Sequence, residues 1–223
     1  MLTALHRVDD VLRGRPWAVR GGRPAERIAQ LVLLLVAFGA VYGLVMGGFG
    51  GVTGRRIWQV VFSGMKVPML LLGTFALSLP SFFVVNTLLG LRSDFAYAVR
   101  ALAATQVALT IVLASIAPLT VLWYVSFDSY PAAVLFNTLT FGSASLLAQR
   151  VLRRLYRPLI SRDRRHRWLL WAWLAMYAFV GIQMAWVLRP FVGDPNMATS
   201  FFRPGAWGNA YVRLFEVVTS LLR

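Results

Sequence analysis

Chemistry needs ionisable or nucleophilic side chains in reach of one another, and this chain provides few. His6 and His166 sit in arginine-rich flanks and cannot build a zinc site between them without distant ligands. There is no cysteine, hence no thiolate ligand or nucleophile and no disulfide. No Ser-His-Asp set, HExxH run, carboxylate pair or glycine-rich phosphate loop occurs. Asp94 and Arg100 stand too isolated to nominate a site. The expectation is a protein without catalytic residues, metal or cofactor, and thus not an enzyme.

The remaining polar residues point to binding or packing. The run Arg189-Pro190-Phe191-Val192-Gly193-Asp194-Pro195-Asn196, continuing to Phe201-Phe202-Arg203-Pro204-Gly205, combines fixed turns, aromatics and charge. It reads either as a cap in which Arg189 or Arg203 pairs with Asp194, or as a lipid head-group contact through Arg189, Asp194 and Arg203. Pro80 interrupts an apolar stretch, and a proline there frees the carbonyl of Ala76. Two outcomes stay open. In one, Pro80, Ser81 and Asn86 line a polar path together with Asn137 and Ser143, as in broken-helix transporters. In the other, Pro80 is a kink satisfied by neighbouring hydroxyls. Gln106, Thr110, Thr138, Thr140, Ser145 and Gln183 are expected to face inward or bond between helices. The stretch holding Asn137 is the most polar, which makes it the candidate for the centre of the bundle or for the lining of an aqueous path.

Gly39, Gly43, Gly47 and Gly51 recur every four residues. That spacing strips one helix face of side chains and lets another backbone approach. Gly39, Gly43 and Gly47 form either a seam for a second copy or partner subunit, or an ordinary contact with a neighbouring helix of the same chain. Ala104/Ala108 and Ala144/Ala148 repeat the theme more weakly.

The elements that carry these residues follow from five stretches without acidic or basic side chains: 28–54, 67–91, 101–127, 129–149 and 168–188. A bilayer crossing needs about 20 mostly apolar residues. With 58% hydrophobic and 14% charged residues, the chain is expected to be an all-α polytopic membrane bundle of five transmembrane helices plus interfacial amphipathic helices. Residues 1–27 form a basic amphipathic segment on the cytoplasmic surface, with Thr3 as N-cap and Gly14 and Pro16 as stop. Residues 28–190 form the bundle, and 191–223 an outer capping segment and amphipathic helix. Residues 206–222 read as that surface helix or as a sixth helix packed into the bundle. Pro68 is expected in the first turn of the second span, preceded by an amphipathic piece at 57–62 on the outer interface.

Charge placement orients the bundle. The net charge of +15 is confined to the flanks of the apolar stretches, so anionic lipid on the cytoplasmic side is the nearer partner, and nucleic acid is not. Arginine blocks at 7–27 and 150–167 fall on one side of a five-span bundle, placing the N-terminus inside, in a bacterial cytoplasmic membrane. Arg55, Arg56 and Lys66 dissent from an outer loop. No ionisable group lies within the five stretches, which argues against a proton- or ion-coupled pump.

Lys66-Val67-Pro68-Met69-Leu70-Leu71, then Leu79-Pro80-Ser81-Phe82-Phe83 and the segment from Asn86 to Gly90, resemble bacterial multi-span proteins grouped with the Yip family. The resemblance covers the second and third spans. It implies an all-helical bundle acting through protein or lipid partners, without enzyme activity. The acidic Asp-Leu-Tyr-Gly-Pro signature of eukaryotic members is absent, so no functional residue is carried over. The expected function is a scaffold or accessory subunit of a membrane complex or homo-oligomer, touching other membrane subunits or itself. The alternative is a channel or passive-transport subunit.

Overall fold

In a computed structural model of the chain, residues 2–15, 24–203, 205–212 and 219 are described. Among them the regular structure is helical: α1 (Leu2–Leu12), α2 (Pro24–Gly47), α3 (Ile57–Leu88), α4 (Phe95–Ser126), α5 (Tyr130–Arg162) and α6 (Arg165–Leu188). The last five are long and apolar enough to cross a membrane. Short 3-10 turns at Gly54–Arg56 and Arg92–Asp94 lead into α3 and α4.

The helices pack in the order α6–α3–α2–α4–α5. The ends of this arc, α5 and α6, barely touch, which leaves a lateral cleft between them. Helix α4 is the most buried and α6 the least. The expectation of a central α5 is therefore corrected. Small residues decide the matter: Ala98, Ala101, Ala104, Ala108 and Ala117 on α4 are buried and let neighbours approach on several sides. The pairs Ala104/Ala108 and Ala144/Ala148 are buried where α4 meets α5. On α5 only Asn137 and Thr140 turn inward among the strongly polar residues, while Thr138 and Ser143 face outward. The Thr138 hydroxyl donates to the Val134 carbonyl at 2.9 Å, so it needs no partner beyond its own helix.

Boundaries differ from the sequence expectation in three places. Helix α3 begins at Ile57, so 57–62 is its first turns and Pro68 lies in its interior. It continues without interruption through Pro80. Helix α5 runs past residue 149 to Arg162, because Val151, Leu152, Leu155, Tyr156 and Leu159 continue a buried face at helical spacing. Helix α1 starts at Leu2, so Thr3 sits inside its first turn. Gly14, with φ of 61°, ends α1, and a side chain there would press on Arg154. Val11 is fully buried, and Leu12 shares a pocket with Ala108, Val112 and Val151, so α1 docks between α4 and α5. Residues 210–212 are helical. Pro16 and most of the expected C-terminal helix (213–218 and 220–223) lie outside the described residues.

Candidate functional site

The glycine face is spent inside the chain. A methyl group on Gly43 would overlap the carbonyl oxygen of Ser63, and one on Gly47 would lie 2.7 Å from the Gln59 carbonyl and 2.8 Å from the Cα of Val60. One on Gly39 would meet Pro68 and Thr110, each at 3.4 Å. Gly64 returns the favour, packing against Leu44. Of the two readings of Gly39, Gly43 and Gly47, the contact with a neighbouring helix of the same chain is the one they make, against α3.

That contact presents a polar stripe of α3 to the segment following α6. Arg56, Gln59, Ser63 and Lys66 are three or four residues apart, so they share one helix face. Gln59 Nε2 donates to the Phe191 carbonyl at 3.3 Å, and Ser63 Oγ donates to the same oxygen at 2.5 Å. Lys66 Nζ donates to the Pro190 carbonyl at 2.7 Å and lies 4.9 Å from the ring centroid of Phe201. Arg56 Nη2 donates to the Phe49 carbonyl at 2.6 Å and the Gly193 carbonyl at 3.3 Å. Lys66 is 0% exposed. Lys66 thus lies within α3 and not in the outer loop expected from the sequence, which puts one ionisable group in this helix. Its position seven residues after Gln59, with no proline between 57 and 66, is the available signal.

At this cap end the expected pairing of Asp194 does not form. Its carboxylate accepts the backbone N–H of Asn196 at 2.9 Å, closing a turn. Arg203 Nη2 donates to Tyr130 Oη at 3.1 Å, and the Arg189 guanidinium stacks 3.4 Å over the Trp186 ring. Arg189 and Arg203 line a cavity of about 440 Å³ between α5, α6 and the cap. Arg203 and Asp194 also line a second, smaller one with Arg56 and Gln59.

The residues expected to form a polar path are not brought together. Pro80, Ser81 and Ser143 are exposed on the outside of the bundle. Asn86 is buried near the opposite end, where neither side-chain atom finds a partner among the described residues. Asn137 is instead a tie among three helices. It accepts from Tyr42 Oη at 2.9 Å and donates through Nδ2 to Tyr124 Oη at 2.6 Å and the Ala133 carbonyl at 2.7 Å.

The other end is the arginine end. Asp94 Oδ2 lies 3.2 Å from Nε2 of the fully buried His166, and Asp94 Oδ1 accepts from Arg162 at 3.5 Å. Asp94, isolated in the sequence, thus clamps the start of α4 to His166 at the start of α6. Around them Arg150, Arg153, Arg154, Arg157, Arg164 and Arg167 are exposed and form no ion pair among the described residues. On α1, Arg13 donates to Asp9 at 2.6 Å and Arg15 to Asp10 at 2.9 Å. The Arg13 hydrogen bond holds the Asp9 carboxyl below its ordinary value, and the same bond raises Arg13. Among the described residues no group of three or more His, Asp or Glu converges as metal ligands would.

No family model matches the chain, and neither a curated protein nor a solved structure is similar to it.

Proposed function

We propose that the chain is a non-enzymatic integral membrane protein, with its N-terminus on the cytoplasmic side of a bacterial membrane, that serves as a scaffold or accessory subunit. Its partner-facing surface is the arginine face of α5. The observation that carries this reading is the row Arg150, Arg153, Arg154 and Arg157, exposed on a helix whose opposite face is held by Val151, Leu152, Leu155, Tyr156 and Leu159.

The 33 residues of α5 extend about 50 Å at 1.5 Å per residue, against roughly 30 Å of hydrocarbon. An upright α5 therefore carries its last dozen residues clear of the apolar layer. Arg150 then sits near the edge of the hydrocarbon, and Arg153, Arg154 and Arg157 stand about 5–10 Å beyond it, at head-group level. A second copy of the chain would present the same positive face and be repelled, so the fitting occupant is an acidic cytoplasmic segment of another membrane subunit.

Native-gel stoichiometry after mild detergent extraction tests this, run at about 0.05 M and about 1 M salt, where screening lengths differ several-fold. A hetero-complex of fixed stoichiometry that separates at high salt is expected. A particle that is the lone chain at both salts, or a salt-resistant homo-oligomer, would overturn it.

A further inference from the structure

We propose that the half of the α5–α6 cleft nearer the arginine end is a binding site for one uncharged lipid whose head carries carbonyl oxygens. The head would lie among Gln106, Gln149 and Tyr177, and the chain would run past Ala185. The inference does not rest on the arginine face of α5 or on its partners.

Three helices bring uncharged polar groups to one level of the cleft. Helix α4 contributes Thr105 and Gln106, α5 Ser145 and Gln149, and α6 Tyr177, all lining a cavity of about 430 Å³. Gln106 is only 6% exposed. Its Oε1 accepts from Tyr177 Oη at 2.9 Å, and its Nε2 has no partner among the described residues. Ser145 and Gln149 are half-buried and make no hydrogen bond among the described residues. Thr105, by contrast, is satisfied within its own helix, donating to the Ala101 carbonyl at 2.9 Å. A buried amide N–H without an acceptor is costly where water is excluded. A carbonyl placed against Gln106 removes that cost, which no group of the chain does.

The lining also selects against charge. No Asp, Glu, Lys, Arg or His borders this cavity among the described residues. An ionised head would lose its water there with nothing of opposite sign beside it. Carbonyl oxygens, which accept and carry no charge, match the unpaired carboxamide N–H groups. Trp173 and Tyr177, their ring centroids 5.6 Å apart, give the head an aromatic wall. Two kinds of lipid head share this chemistry, a quinone ring and the esters of a diacylglycerol. The chain has its own track. Ala185 borders both this cavity and one of about 440 Å³ towards the cap, walled in part by Leu70, Val134 and Phe141. Because α5 and α6 barely touch, the track opens sideways, and a lipid enters it without leaving an apolar layer.

The absence of cysteine from the chain makes a local test possible. Ile182 lines the cavity; Val41 is comparably exposed on α2 and as many residues from the start of its helix. The Ile182→Cys and Val41→Cys proteins, each carrying a small fluorophore, are reconstituted into phosphatidylcholine vesicles. The quencher is a decyl-substituted benzoquinone, a brominated diacylglycerol or a brominated phosphatidylglycerol. Quenching at position 182 relative to position 41 reads local enrichment. For at least one of the two uncharged probes it is expected to reach about threefold or more, as one or two hydrogen bonds allow, and the probe that does so identifies the head. For phosphatidylglycerol it is expected to stay near unity. Gln149→Leu, which breaks no bond within the chain, is expected to reduce the enrichment by about half, and Gln106→Leu combined with it to abolish it. Ala185→Trp fills the track with the polar groups in place and is expected to weaken it too. Circular dichroism confirms that each variant is folded; should Gln106→Leu unfold, Gln149→Leu and Ala185→Trp decide alone. No enrichment of either uncharged probe, equal enrichment of phosphatidylglycerol, or enrichment unchanged in Gln149→Leu or in Ala185→Trp would overturn the proposal.

Discussion

The two ends of this molecule use cations in opposite ways. At the cap end, Lys66 and Arg56 are turned inward and spend their N–H groups on backbone carbonyls of residues 49, 190 and 193. At the arginine end, Arg150, Arg153, Arg154 and Arg157 point outward and meet no carboxylate among the described residues. A buried charge must be satisfied or it destabilises the fold, whereas an exposed one is nearly neutral to stability. Cap-end cations should therefore matter to folding, and arginine-end cations to association.

The strongest way to break this contrast lies in the helix contact beneath the cap. Gly43→Leu would drive a side chain into the backbone of α3 at Ser63. A loss of about 3 kcal/mol or more is expected, at the upper end of overpacking costs, seen as failure to recover folded monomer from detergent. A folded monomer that has merely lost a partner would mean that the glycine face is a seam between chains after all. Next in size is Lys66→Ala. It leaves the Pro190 carbonyl with only the long 3.5 Å contact from Gln59 Nε2, and about 2 kcal/mol is expected from the weakened bond and lost packing. Hydrogen exchange should rise first in residues 190–203, which the α3 stripe holds down. Asp94→Asn weakens the ties to His166 and Arg162 at the other end. Because Asp94 and Arg162 are partly exposed, a loss of only about 1 kcal/mol is expected in thermal unfolding.

The smallest effect is on α1. Arg13 and Arg15 keep Asp9 ionised below its ordinary range, and a carboxyl with a lowered folded-state value adds stability above its unfolded value. That contribution is lost as pH falls through the lowered folded-state value. Protease sensitivity of α1 should be flat from pH 8 to pH 5 and rise only below about pH 4. A change near pH 6 would contradict the assignment to Asp9.

Much of this architecture was legible in the chain. Five charge-free stretches became five long helices, because hydrocarbon length and helical rise leave little freedom in segment number. The glycine ladder announced a close approach of backbones, though spacing alone says nothing of whether the second backbone belongs to the same chain. Helix ends were less visible. Charge does not mark the end of a helix here: Lys66 and the arginines after residue 149 lie within helices. Lys66 is accommodated because a carbonyl from a segment 124 residues away reaches it. The arginines are accommodated because α5 keeps a buried face against α4 beyond the expected span. The pairing of Asp94 with His166 joins residues 72 apart, and the cleft at the α5–α6 join depends on packing order; neither leaves a local pattern. The polar path failed for a related reason. Pro80, Ser81 and Ser143 are polar in composition, but helix rotation, set by the apolar and glycine faces, turns them outward.

Particle mass by light scattering tests the division of labour most directly. It compares the chain with the variant carrying Arg153→Gln, Arg154→Gln and Arg157→Gln, both extracted mildly at low salt. The expected result is a complex with the unaltered chain and the lone folded chain with the variant, their unfolding midpoints differing by no more than about 2 °C per substitution, as exposed sites allow. Equal masses, or a variant that unfolds before it dissociates, would contradict the assignment of the arginine end to partners.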